Sequence, residues 1–112
     1  MDHSKLSPKK SMYLIEIFLP LADNSGSRFA PACFDKVRKT LTEKFGGLTA
    51  FTRAPAEGTE TRGGHQRSDE LIVFEVMTEP LDEAWWTDYR KVLDADFRQD
   101  RILIRASSTT LL

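Results

Sequence analysis

The chain of 112 residues sets 16 Lys and Arg against 17 Asp and Glu, with 40% hydrophobic, 10% aromatic and 29% charged residues. That balance belongs to one soluble globular domain. It excludes disorder over the whole length, and a net charge of -1 excludes a nucleic-acid binder that works through a global basic field.

Met1 to Ser11 is polar, holds Lys5, Lys9 and Lys10, and reads as a disordered leader (1–11) before a single domain (12–112). From Tyr13 to Leu19 strand formers dominate. Tyr13, Ile15, Ile17 and Leu19 fall on one side, Leu14, Glu16 and Phe18 on the other, and Pro20 ends the run. Asp23-Asn24-Ser25-Gly26-Ser27 is turn chemistry. Phe34, Val37, Leu41 and Phe45 share one helical stripe, with Pro31 suited to the first turn and Gly46-Gly47 to the stop.

Leu48 to Ala54 reads as a second strand closed by Pro55, and the glycine-bearing 56–68 stretch as a long connection. Glu70 to Thr78 is a third strand with almost no polar face. Asp82 is a cap for a second helix, on which Leu81, Trp85, Tyr89, Val92 and Leu93 form a broad apolar stripe with Trp86 and Phe97 at its edge. Ile102 to Ala106 is a short last strand.

This order, βαββαβ, predicts an α+β ferredoxin-like fold. In it a four-stranded antiparallel sheet carries two helices on one face, with the first and third strands central. Parity sends Ile15, Ile17, Leu19, Ala50, Ile72, Phe74, Val76, Ile102 and Ile104 toward the helices. The other face receives Leu14, Phe18, Phe51, Leu71, Val73, Met77 and Leu103 together with Glu16, Glu75, Arg53 and Arg105. A face that apolar calls for a cover, and the economical one is a second copy packed sheet to sheet. The same order and size occur in dimeric α+β barrel proteins, which this chain resembles in architecture.

The words Glu16-Ile17-Phe18-Leu19-Pro20, Phe45-Gly46-Gly47-Leu48-Thr49-Ala50-Phe51-Thr52-Arg53-Ala54-Pro55-Ala56-Glu57-Gly58, Trp85-Trp86 and Phe97-Arg98-Gln99-Asp100 resemble those of a family of small uncharacterised bacterial proteins. The resemblance spans roughly Tyr13 to Arg105. It implies a bacterial source and this fold, and brings no mechanism with it.

Four charges on the apolar face invite a functional reading. As cross-strand neighbours Glu16 would meet Arg105 and Glu75 would meet Arg53. Such pairs either fix the register of a dimer or form a polar pocket, in which Arg53 and Arg105 hold a small anionic ligand and a carboxylate moves a proton. Trp86, with Tyr89, is a candidate for the wall of a pocket between helix and sheet. His65 sits in the long connection, as a solvent-exposed side chain or as an acid or base on a lid. The weak catalytic candidates are therefore His65, Glu75 and Tyr89, and the ligand candidates Arg53, Arg105, Glu16 and Trp86.

No cluster has metal-ligand spacing, since the only other histidine is His3, and no cofactor is implied. Asp94, Asp96 and Asp100 read as solvated acids. The lone Cys33 forms no internal disulfide, and no apolar run reaches the roughly 18 residues of a membrane span, so a cytoplasmic address without a membrane partner is expected. Three roles follow in order: a homodimer with an interaction or small-ligand-binding role, a metal-free small enzyme of oxygenase or isomerase type, and nucleic-acid binding. The last lacks the basic surface that Phe18 and Phe51 would need.

Overall fold

Alternating apolar residues on both sides of one strand demand cover above and below, and the chain meets half of that demand with two helices. The computed structural model describes residues 10–53 and 70–112. Its elements are β1 (Lys10–Pro20), α1 (Pro31–Phe45), β2 (Thr49–Arg53), β3 (Leu71–Thr78), α2 (Glu83–Asp96) and β4 (Leu103–Leu111). The sheet order is β2-β3-β1-β4, all pairs antiparallel, as the ferredoxin-like expectation required. The 56–68 connection and most of the expected leader lie outside the described residues.

The core forms where parity put it. Ile15, Ile17, Leu19, Phe74, Val76 and Ile102 are buried against Val37 and Leu41 of α1 and Trp86, Tyr89 and Leu93 of α2. Cys33 packs half-buried at its margin as a free thiol. Helix α1 starts on Pro31 and stops at Gly46, whose φ of 84° favours glycine and whose N–H donates to the Thr42 carbonyl at 2.7 Å. Helix α2 starts on Asp82, whose carboxylate accepts from the Trp85 N–H at 3.1 Å, as its position before the apolar stripe suggested.

Before α1, Asp23 organises the turn: one carboxylate oxygen accepts from the Ser25 N–H, the Ser25 hydroxyl and the Ser27 N–H, and the other from Arg98 at 3.0 Å. With the Ser25 hydroxyl contributing most, these donors hold the Asp23 carboxyl down at about 2.

Two boundaries differ from the sequence reading by more than one residue. Lys10 and Ser11, assigned to the leader, belong to β1 and pair with Leu111 and Thr110. The last strand runs to Leu111 instead of stopping at Ala106. Ser107 to Thr110 lacks an apolar face, yet an edge strand in water does not need one, and each of its residues stands in register with a partner in β1, alternate ones exchanging the backbone bonds of an antiparallel ladder.

Candidate functional site

The charged row on the open face is resolved by register. Thr49, Glu75, Glu16 and Arg105 stand side by side across all four strands. Arg105 Nε donates to Glu16 Oε1 at 2.8 Å, as expected, and the guanidinium carbon lies 4.9 Å from the Phe18 ring centroid. The other expected pair is corrected. Arg53 is opposite Leu71 and Glu75 opposite Thr49, so the two sit four residues apart along β3, roughly 13 Å. No side-chain hydrogen bond or ion pair reaches Glu75 among the described residues, and its cross-strand neighbour on β1 is another carboxylate, Glu16. The Arg53 side chain and the whole of His65 lie outside what is described.

The apolar part of that face is less open than its sequence suggests. Phe18 and Val73 are buried within one chain, and the described large apolar residues of this face that are exposed are Leu103, at 53%, and Leu111, at 44%, both on the edge strand β4.

The remaining candidates lie on the opposite side of the sheet. An aromatic cluster anchors α2: Trp86 stacks on Phe45 at 5.3 Å between centroids with planes 12° apart and meets Trp85 edge-on at 4.8 Å, while Trp85 stacks on Tyr89 at 5.0 Å. Tyr89 is buried in the core, and that burial pushes its hydroxyl up to about 12. It therefore stays protonated at neutral pH and is suited to donate a hydrogen bond rather than to act as a base.

Trp86 also faces a cleft of about 230 Å³ between α2 and the β1–β4 side of the sheet. Ile15, Ile104 and Ala106 form its sheet wall, Leu81 and Trp86 its helix wall, and Glu83, Thr87, Arg90 and Arg101 supply the polar groups. Arg90 is held in place from behind, since Nη1 donates to Asp94 Oδ2 at 3.2 Å while Asp94 Oδ1 accepts from the Ile102 N–H at 2.6 Å. Asp94 thus fastens the end of α2 to the start of β4 and orients one guanidinium of the cleft. The sequence reading had left it as a solvated acid, and no local spacing signals a carboxylate whose partner is a backbone N–H eight residues on. Arg101, by contrast, makes no hydrogen bond or ion pair among the described residues.

Two larger depressions lie near the Asp23 turn and beside α1. Asp23 of the first is engaged by Arg98, and Arg28, which borders both, lies 4.0 Å from Glu70. The structure therefore divides the expected ligand set. Trp86 belongs to the cleft, whereas Glu16 and Arg105 lie on the far face of the sheet. Arg90 and Arg101, which bring positive charge to the cleft, are not among the ligand candidates read from sequence.

Among the described residues no three His, Cys, Asp or Glu side chains gather as a metal site, and no helix is long and apolar enough to cross a membrane. No protein-family model matches the sequence, and no curated protein matches it either. Among solved structures, the chain is similar in fold to a phage SAM lyase in complex with S-methyl-5'-thioadenosine. The TM-score is 0.56 at 16% identity, covering 89% of this chain and 90% of that one. At that identity the likeness is one of fold, a small α+β architecture shared over nearly the full length of both chains.

Proposed function

We propose that this protein binds a small planar anion in the cleft between α2 and the β1–β4 side of the sheet. The observation that carries the reading is a cleft with Leu81, Trp86 and Ile104 in its walls, bordered by two guanidiniums, one fixed by Asp94 and one, Arg101, without a hydrogen bond or ion pair among the described residues. A guanidinium offers paired donors to a carboxylate or phosphate, and the apolar wall of Leu81, Ile104 and the exposed margin of the otherwise buried Trp86 suits a flat ring. At about 230 Å³ the cleft lies below the ~300–1,000 Å³ of sites for drug-sized ligands, so a single ring bearing one acidic group fits the proposal best. The bacterial and cytoplasmic setting expected from the sequence is part of the same proposal, as is a homodimer, although Phe18 and Val73, already buried within one chain, leave the sheet face itself less in need of a second copy.

The test uses Trp85→Phe, so that indole fluorescence reports Trp86, titrated with benzoate. A saturable change in the millimolar range is expected, weakened about tenfold by Arg101→Gln. The absence of a saturable change, or an unaltered curve in Arg101→Gln, would remove the reading.

A metal-free enzyme is the second reading, supported by the fold shared with the phage lyase. For it, S-methyl-5'-thioadenosine replaces benzoate in the same titration, and SAM is incubated with the protein and followed by chromatography. Binding of the nucleoside without benzoate binding, or loss of SAM, would favour the enzyme.

A further inference from the structure

We infer that the outer edge of β4 is a homodimer interface, in which two copies pair antiparallel about a two-fold axis through Ser107 and join their sheets into one of eight strands. Strand β4 pairs only with β1 among the described residues, so its other edge presents backbone donors and acceptors over nine residues, none of them buried. Natural edges of that length are protected by lysine, proline or a bulge. The Leu103–Leu111 run has no proline and no lysine, and its single charge, Arg105, is turned onto Glu16.

What identifies a second copy as the occupant is the strand's own symmetry. Leu103 and Leu111 are 53% and 44% exposed, and they lie on the same face, equally far from Ser107. In the register centred on Ser107, Leu103 of each copy meets Leu111 of the other. Arg105 meets Thr109, so no like charges are opposed and both exposed leucines gain an apolar neighbour. A shift of the axis by one residue moves the pairing by two and sets a leucine against a polar residue, Leu111 against Arg105 or Leu103 against Thr109.

The pairing also bears on the cleft, and this part rests on the proposed function. Ile104 and Ala106 line the cleft from the helix side of β4. In the stated register they stand beside Thr110 and Ser108 of the second copy, so two hydroxyls extend the sheet wall, and each cleft is completed across the axis.

Association and register are read separately from ligand binding. Sedimentation of the full chain at about 50 μM is expected to give a dimer. L103K/L111K, which opposes two lysines at each end, is expected to give a monomer with dissociation shifted at least tenfold, and L103E/L111K, which opposes unlike charges, to restore the dimer. In a Cys33→Ser background, S107C is expected to crosslink on mild oxidation, because antiparallel partners lie about 4.5–5.5 Å apart between Cα atoms, within disulfide reach. T109C, separated from its own copy by roughly 13 Å of strand offset, is expected to stay monomeric without reductant. A monomeric wild type, a dimer indifferent to L103K/L111K, or equal crosslinking at both cysteines would overturn the interface. If the dimer stands while Ser108→Ala leaves benzoate affinity unchanged, the shared cleft falls and the interface remains.

Discussion

Asp94 offers the sharpest test of how the cleft is built, because its two carboxylate oxygens do separate work. Truncation to alanine removes the acceptor of the Ile102 N–H, whose residue is 2% exposed, and strands a backbone donor where water has little access. A hydrogen bond to a charged group contributes about 1.5–3 kcal/mol. The i,i+4 pair with Arg90, with side chains 20% and 18% exposed, adds about 0.3–0.5 kcal/mol. Asp94→Ala should therefore cost about 2–3 kcal/mol, which for a domain of this size lowers Tm by roughly 10–15 °C. Asp94→Asn keeps an oxygen toward Ile102 without the charge and should lose about half as much. Thermal and urea melts followed by far-ultraviolet circular dichroism measure both, with Arg90→Gln alone expected to cost under about 1 kcal/mol. Should Asp94→Ala stay within about 0.5 kcal/mol of wild type, or Asp94→Asn prove equally damaging, the carboxylate would not be fastening β4 to α2.

Two further outcomes follow from groups on either side of the sheet. Tyr89 has its hydroxyl raised from 10.0 to about 12, so the folded state holds the proton more tightly than the unfolded chain. Its contribution is complete below about pH 10 and is lost as pH rises toward 12, a loss on the order of 2–3 kcal/mol. Tyr89→Phe should flatten the alkaline limb of a stability-versus-pH curve, and an unchanged limb would contradict the burial argument. On the open face, Glu75→Gln relieves the carboxylate opposite Glu16 and should leave stability unchanged or raise it by up to about 1 kcal/mol, with the gain shrinking at high salt. A loss above about 2 kcal/mol in urea melts would mean that Glu75 has a buried cationic partner after all.

How much of this was legible beforehand depended on whether the signal was periodic. Alternation along β1 and β3 and the stripe through Phe34, Val37, Leu41 and Phe45 carried the element order, the strand order and the split of residues between faces. The Glu16–Arg105 pair followed from parity because both neighbours are in register at the middle of long strands. The Glu75–Arg53 expectation failed on the one quantity that parity leaves open. Sliding β2 along β3 by an even number of residues keeps every side chain on its face while moving Arg53 away. The extension of β4 was hidden because serine and threonine on a solvated edge carry no hydrophobic period. Asp94 and the cleft were hidden because they depend on where α2 ends relative to the start of β4, a three-dimensional fact without a local motif.

The pairing of β1 with β4 has a consequence for how the protein is made. Strand β1 is central, yet its neighbour on one side lies some ninety residues later in the chain, and Ile104 and Ala106, which finish the cleft, arrive with it. During synthesis β1 can meet β3 while its other edge still waits for Leu103–Leu111, so the sheet is finished by an element that leaves the ribosome long after the strand it flanks. A ribosome stalled before Leu103 would hold a nascent chain with one flank of its central strand bare, a natural substrate for chaperones.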